Sequence, residues 1–82
     1  VLVKPQFEVG KDKVGKGGVV RDHSLHLEAI EGVVNESEKY GWYPKGLIAS
    51  PLKGPAGNQE YLLWMDDKSR GVNNIEKLLN FV

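Results

Sequence analysis

Three short apolar segments, and the unequal lengths of chain between them, restrict this sequence to few folds. The segments cover residues 1–7, 47–49 and 60–65. Their continuous apolar character is typical of strands covered on both faces of a sheet. The nine residues 50–58 are too few for a helical crossover, so the last two strands are predicted to be antiparallel. The first two enclose a long helical stretch and are predicted to be parallel, with a right-handed crossover.

The connecting helix is predicted to begin near residue 23 and to end near residue 40. Asp22 or Ser24 can cap its first turn, and Gly41 stands where a glycine would end it. The residues that recur at helical spacing are Leu27, Ile30, Val33 or Val34, and Ser37 to Tyr40; the predicted solvated residues are Glu28, Glu31, Glu36 and Glu38. With a short helix at 72–82, the predicted fold class is α/β, a portion of an open mixed sheet.

Two charged residues lie at corresponding ends of the predicted strands. Lys4 lies toward the end of the first strand, Ser50 ends the second, and Glu60 begins the antiparallel third. All three should therefore meet at one rim of the sheet. In open α/β sheets, ligands bind beyond the carboxyl ends of the parallel strands. The sequence thus predicts a candidate site at this rim.

Lys4 and Glu60 admit two interpretations. In the first, they form a proton-transfer or orienting pair. A lysine becomes a general base when its pKa falls from about 10.4 toward neutrality, whereas a nearby glutamate favours the ammonium. A base at position 4 would then need another cation from outside this chain. In the second interpretation, Lys4 snorkels and forms a cross-strand ion pair with Glu60.

Residues 8–22 form a predicted loop rich in glycine and lysine. Gly10 and the Gly15-Lys16 pair have the spacing of a phosphate-binding loop, but Gly17 stands where that motif needs a hydroxyl. A basic loop that touches an RNA backbone and a solvated surface loop are both open interpretations. The candidate RNA-binding residues are Lys11, Lys13, Lys16, Arg21, Ser50, Lys53 and Asn58.

Other classes of site and setting receive little support. The chain has 82 residues, no cysteine and a formal net charge of zero, so any attraction to nucleic acid needs a local basic patch. His23 and His26 share a helix face near Glu28 but lack an evident third zinc ligand, and are expected to be exposed. Among the aromatic residues that could stack on bases, Trp64 is expected in the core, and the role of Tyr43, next to Pro44, is open.

The chain begins Val-Leu-Val, without methionine and inside a predicted strand. A natural domain rarely begins in the middle of a strand. We therefore expect the chain to be a piece of a larger domain. The first strand would then present an unpaired edge, through which the isolated piece is expected to self-associate.

Four phrases carry a family resemblance: KPQFE at 4–8, VGKGGVVRD at 14–22, SPLKGPAGN at 50–58 and EYLLW at 60–64. Together they resemble the hemolysin-A (TlyA) family, which is similar to FtsJ-type ribose 2′-O-methyltransferases. The resemblance implies a cytoplasmic, S-adenosylmethionine-dependent methyltransferase acting on ribosomal RNA. It also implies a Lys-Asp-Lys-Glu tetrad, in which Lys4 matches the second lysine and Glu60 the glutamate.

The remaining family features have no counterpart in this chain. They are the first lysine, the aspartate, the glycine-rich cofactor motif and an S4-like RNA-binding domain. Residues 1–82 are therefore expected to be the C-terminal part of one FtsJ-like domain, a Rossmann-like sheet with its last strand inserted between its neighbours. This part alone should bind S-adenosylmethionine poorly and be inactive.

Two other functions compete with this one. A non-catalytic RNA-binding module would use the loop 8–22 and Lys53. A membrane-lytic hemolysin would follow the family label literally, but the sequence offers neither a membrane-spanning segment nor a strongly basic amphipathic helix.

Overall fold

A computed structural model describes residues 1–67 and Leu79. The strands are β1 (Leu2–Val3), β2 (Tyr43–Ala49) and β3 (Tyr61–Asp66), and the helices are α1 (Pro5–Glu8) and α2 (His23–Glu38). Single turns of 3₁₀ helix at Lys11–Lys13, Lys16–Gly18 and Pro55–Gly57 lie within the two predicted loops. The α/β class predicted from the sequence is confirmed.

The three strands form one sheet in the order β1-β3-β2. β3 is antiparallel to both neighbours, so β1 and β2 are parallel to each other. The antiparallel last strand and its insertion between the other two were both predicted correctly. The right-handedness of the crossover through α2 stays a prediction.

The first strand is shorter than predicted. β1 ends at Val3, and Pro5 begins α1, where its fixed φ and missing N–H suit the first helical position. The carbonyl of Lys4 accepts hydrogen bonds from the backbone N–H groups of Phe7 and Glu8, at 3.0 and 3.1 Å. Residues 5–7 were therefore wrongly assigned to the strand, because Pro5 begins a helical turn.

The predicted limits of α2 are confirmed. The Asp22 side chain accepts a hydrogen bond from the backbone N–H of Ser24 at 2.9 Å, which caps the helix. Hydrogen bonds from the side chain and backbone of Ser24 lower the pKa of Asp22 below its ordinary value of 3.8. At the other end, Gly41 has a φ of +84°, a conformation that glycine adopts without strain.

The hydrophobic core lies between α2 and one face of the sheet. Its members are Val3, Val9, Val20, Ala29, Ile30, Val34, Leu47, Tyr61, Leu63 and Leu79. Complete burial of a side chain such as Ile30 or Leu63 stabilises the fold by about 1.5–3 kcal/mol. The four glutamates predicted to be solvated on α2 are exposed.

The opposite face of the sheet is apolar and open among the described residues. Along β3, Tyr61 and Leu63 are buried, whereas Leu62 and Trp64 point the other way and are 39% and 71% exposed. The prediction that Trp64 lies in the core is therefore wrong. The apolar run was correctly interpreted as a strand, but side chains alternate between faces and α2 covers only one of them.

The predicted helix over 72–82 lies outside the described residues, except for Leu79. Leu79 is helical and belongs to the core, with 3% of its surface exposed.

Candidate active site at the shared rim

The ends of all three strands meet at one rim of the sheet. Val3 in β1 and Ala49 in β2 both pair with Tyr61, the first residue of β3. The next residues along the chain, Lys4 and Ser50, therefore flank Glu60. The backbone N–H of Ser50 donates to the carbonyl of Glu60 at 2.8 Å. Residues far apart in the sequence are thus brought to one edge.

The Glu60 carboxylate lies in a buried seat. Only 6% of the residue is exposed. Its Oε2 accepts a hydrogen bond from Nε2 of Gln6 at 2.6 Å. A Cβ atom added at Gly54 would lie 2.5 Å from the Glu60 Cδ, a distance that real Cβ atoms do not reach. Position 54 therefore has room for the carboxylate only because it is glycine.

The orientation of the Gln6 amide is set by this carboxylate. Its other polar atom, Oε1, is buried and has no hydrogen-bond partner among the described residues. A charge-assisted hydrogen bond contributes about 1.5–3 kcal/mol, and an unsatisfied buried acceptor costs about 1–3 kcal/mol. The two contributions nearly cancel, so the contact with Glu60 adds little net stability to the fold.

Lys4 has an extended backbone just before α1, with φ −116° and ψ 92°. Its Nζ lies 5.8 Å from the ring centroid of Phe7, within the range of a cation–π contact. In the part of the chain that the structure describes, Lys4 forms no salt bridge with Glu60. The cross-strand ion pair considered from the sequence is therefore not formed, and the amine is available to another partner.

Asn58 joins the two loops that border the rim. The residue is 1% exposed. Its Oδ1 accepts from the backbone N–H of Val20 at 2.9 Å, and its Nδ2 donates to the carbonyls of Gly18 and Pro55, each at 2.8 Å. These bonds occupy both polar atoms of the amide. Asn58 was predicted as an RNA contact, but its burial favours a structural role between the loops.

The basic RNA-binding candidates in the first loop lie in different surroundings. Lys13 forms an exposed salt bridge with Glu28 of α2 at 3.1 Å. Arg21 donates to the carbonyl of Lys16 at 3.1 Å, and the Lys16 side chain is exposed. Of Lys11, only the backbone is described, in the first 3₁₀ turn. The Lys13 amine therefore already has an acidic partner.

In the second loop, Lys53 and Ser50 lie closer to the rim. The exposed Lys53 donates from its Nζ to Oε1 of Gln59 at 2.5 Å. The Ser50 hydroxyl accepts a weak bond from the backbone N–H of Leu52 at 3.3 Å. The hydrogen bond that the described residues give to the Glu60 carboxylate comes from Gln6, not from either of these side chains.

A concave surface of about 530 Å³ opens between the two loops, next to the rim. Gln6 and Phe7 line one side of it, Val14 and Gly15 another, and Pro55 and Ala56 a third. Phe7 is 67% exposed. The rim thus borders a depression in which an aromatic ring faces solvent.

Sequence reasoning missed a buried polar network beneath the rim. His26 Nε2 lies 2.7 Å from the carbonyl of Val20, which can only accept, so Nε2 carries a proton. In the neutral imidazole, Nδ1 therefore accepts a hydrogen bond from the Tyr61 hydroxyl at 2.8 Å. Burial raises the pKa of Tyr61 above its ordinary value of 10.0. His26 itself is buried, contrary to the exposed position expected for it.

Neither a metal centre nor a cofactor cradle is formed by the described residues. Residues 1–67 contain no group of three or more metal-ligating side chains. The turn after β1 is occupied by α1, and the first turn of α2 is capped by the Asp22 carboxylate. Neither resembles the glycine-rich turn that holds a nucleotide cofactor at a helix N-terminus. The same part of the chain has no helix that is both long and apolar enough to cross a membrane.

Comparison with known proteins decides the family. The family model for FtsJ-like methyltransferases matches residues 1–67. The chain belongs to the FtsJ-like methyltransferase family. This confirms the resemblance drawn from the four sequence phrases, all of which lie within the matched residues.

Curated relatives extend well beyond this chain. It is 53% identical over 64 residues to "16S/23S rRNA (cytidine-2'-O)-methyltransferase TlyA" of Mycobacterium tuberculosis, a match covering 78% of this chain and 24% of that protein. It is 42% identical over 65 residues to "23S rRNA (cytidine-2'-O)-methyltransferase TlyA" of Campylobacter jejuni, covering 78% and 26%. The chain thus spans about a quarter of the length of these relatives.

A solved structure supports the fold. "The crystal structure of a putative hemolysin from Lactococcus lactis" superposes with a TM-score of 0.82 at 42% identity, covering 98% of this chain and 40% of that one. The strand order of this FtsJ-like segment is therefore shared with a larger protein.

Proposed function

We propose that this segment supplies part of the RNA-facing active site of an S-adenosylmethionine-dependent ribose 2′-O-methyltransferase that acts on ribosomal RNA. The observation that carries the proposal is the meeting of Lys4 and Glu60 at one rim in a chain of the FtsJ-like family. The TlyA relatives, whose names specify cytidine-2′-O methylation of rRNA, support the substrate class. A ribosomal RNA substrate also favours a cytoplasmic location.

In this proposal the segment binds and orients the methyl acceptor, the ribose 2′-OH of the RNA. The Lys4 amine takes or orients the proton of the ribose 2′-OH, since it has no acidic partner among the described residues. Glu60 holds the same hydroxyl or the amine through a carboxylate oxygen. The family implies S-adenosylmethionine as methyl donor. Because residues 1–67 form no cradle for it, we assign its binding to the remainder of a longer protein, of which residues 1–82 would be the C-terminal part.

The concave surface beside the rim suits a nucleotide of the RNA. The exposed Phe7 ring offers a stacking surface for a base, and base stacking on an aromatic side chain contributes about 1–3 kcal/mol. The exposed Lys16, Arg21 and Lys53 can contact phosphates on either side. Lys13 is a weaker candidate because its amine pairs with Glu28, Lys11 remains a candidate, and Ser50 lies at the rim itself.

The test is methyl transfer to ribosomal RNA by the full-length protein that carries this segment. Lys4→Ala and Glu60→Gln should each lower kcat by about 100-fold or more, the usual contribution of a positioned acid–base group. Lys39→Ala and Glu38→Gln are matched controls, since both residues are exposed at the C-terminal end of α2, away from the rim. Wild-type turnover in both rim variants would refute the assigned site.

A non-catalytic RNA-binding module is the second candidate, favoured only by the exposed basic residues of the loops. It predicts salt-dependent RNA affinity for the 82-residue chain alone and no methyl transfer by the full-length protein. A filter-binding titration of the chain, run beside the methylation assay, separates the two functions.

A further inference from the structure

We propose that Gln6 is a positioning residue for the active site: its amide fixes which oxygen of Glu60 faces the acceptor hydroxyl. The inference rests on the proposed function. Gln6 carries no charge and does not belong to the Lys-Asp-Lys-Glu set. It lies two residues after Lys4 and donates from Nε2 to Glu60 Oε2 at 2.6 Å.

The contact makes the two carboxylate oxygens of Glu60 inequivalent. Oε2 is held by Gln6, and the carboxylate is backed by Gly54, where even a methyl group would collide with it. Oε1 has no hydrogen-bond partner in the described part of the chain. Unlike Oε1 of Gln6, it is not a fully buried atom. Glu60 therefore presents Oε1 alone to a substrate or to the lysine amine.

The helical turn α1 connects this orientation to Lys4. The carbonyl of Lys4 accepts hydrogen bonds from the backbone N–H groups of Phe7 and Glu8, which closes the turn around Gln6. One short turn therefore carries the amine at its start and the anchoring amide two residues later. A shift of the Gln6 amide would move the carboxylate relative to the amine, and a displacement of about 1 Å in such a site lowers turnover by roughly 100-fold.

Gln6→Ala in the full-length protein tests the positioning role. We expect kcat for methylation of ribosomal RNA to fall by roughly 10-fold to 100-fold, with the KM for RNA nearly unchanged, because the amide holds a catalytic group and not the RNA. Wild-type kcat in Gln6→Ala would overturn the inference. A rise in KM with kcat unchanged would also overturn it, by assigning Gln6 to RNA binding.

Gln6→Glu provides a pH signature that a purely structural role would not produce. In this variant the carboxyl groups of residues 6 and 60 lie within hydrogen-bond distance. At low pH they share one proton, so a protonated carboxyl group at position 6 donates to Glu60 as the glutamine amide does. As the pH rises, that proton is lost and the two carboxylates repel each other. The Glu60 carboxylate is then displaced from its position beside Gly54. The ratio of Gln6→Glu to wild-type kcat should therefore fall as the pH rises.

The matched control is Asn35→Asp, which adds a carboxylate on the exposed surface of α2. Since this carboxylate lies away from Glu60, the ratio of Asn35→Asp to wild-type kcat should not depend on pH. A pH-independent ratio for Gln6→Glu would overturn the inference even if Gln6→Ala failed to fold. If Lys4→Ala and Glu60→Gln retain turnover, the proposed function fails; if only the Gln6 variants retain it, this inference alone fails.

Discussion

At the scale of single residues, His26 and Tyr61 connect three parts of the chain. The imidazole donates to the carbonyl of Val20 in the first loop and accepts from the hydroxyl of Tyr61 in β3. The two rings also meet edge to face, with centroids 5.5 Å apart. Since Tyr61 directly follows Glu60, this network fixes the start of β3 and hence the backbone beneath the candidate carboxylate.

Tyr61→Phe should destabilise the chain by about 1–3 kcal/mol at neutral pH, because it leaves the buried Nδ1 of His26 without a donor. The pH dependence should change as well. The raised pKa of Tyr61 in the folded state stabilises the fold below pH 10.0, and this contribution is lost as the pH rises through the folded pKa. Urea unfolding across the alkaline range should therefore show a smaller loss of stability for Tyr61→Phe than for wild type.

Tyr40→Phe is the matched control, since Tyr40 is 76% exposed. It should change the free energy of unfolding by less than about 0.5 kcal/mol at neutral pH. Equal stabilities of Tyr61→Phe and wild type would contradict the hydrogen-bond assignment.

The residues of the site differ in how visible they are in the sequence. Lys4 and Glu60 could be placed at one rim from strand order alone, because a charged residue at the end of an apolar run is conspicuous. Gln6 could not be found that way: it was assigned to a strand, and its role depends on α1 turning it toward Glu60. His26 was invisible for a related reason, since its partners are 6 and 35 residues away and the pattern of α2 does not reveal them.

At the scale of elements, strand pairing was easier to predict than strand length. The short 50–58 connection required antiparallel β2 and β3, and that topology is observed. The limits of β1 depended instead on whether Pro5 ends a strand or begins a helix, and a sequence pattern favours neither. The packing of the two loops against each other could not be predicted either, because it depends on Asn58, a buried amide within a turn-rich segment.

Asn58→Ala should destabilise the chain by about 2–3 kcal/mol, because it removes three hydrogen bonds and leaves the buried N–H of Val20 unpaired. The first loop should also become easier to cleave, since its link to the second is lost. Urea unfolding and limited proteolysis between residues 10 and 18 measure the two effects.

Asn58→Asp tests whether the hydrogen bonds of the amide, and not the volume of the side chain, stabilise the two loops. At neutral pH it should be at least as destabilising as alanine, because a carboxylate would face the carbonyls of Gly18 and Pro55. Asn35→Ala, an exposed change on α2, is the control. If Asn58→Asp matched wild type, the assigned hydrogen bonds would be wrong.

At the scale of the whole molecule, the sheet is covered on one face only. α2 packs over β1 and β2 on the inner face, whereas Leu2, Leu62 and Ile48 are cross-strand neighbours on the outer face and each is at least 39% exposed. In open α/β folds, helices cover both faces. Since the relatives are about four times as long, the outer face is the natural place for the remainder of such a protein.

The 82-residue chain alone should therefore self-associate, as the sequence predicted from the edge of β1, and the outer face gives a second route. Sedimentation velocity over a wide concentration range should show a mass above that of the monomer. The double variant Leu62→Lys, Trp64→Lys should be monomeric, because charge on this face opposes burial against a second copy.

The control is Leu52→Lys, which changes an exposed loop residue. Association that survives the double change would assign the contact to the β1 edge, whereas a wild-type chain that stays monomeric at high concentration would exclude both routes.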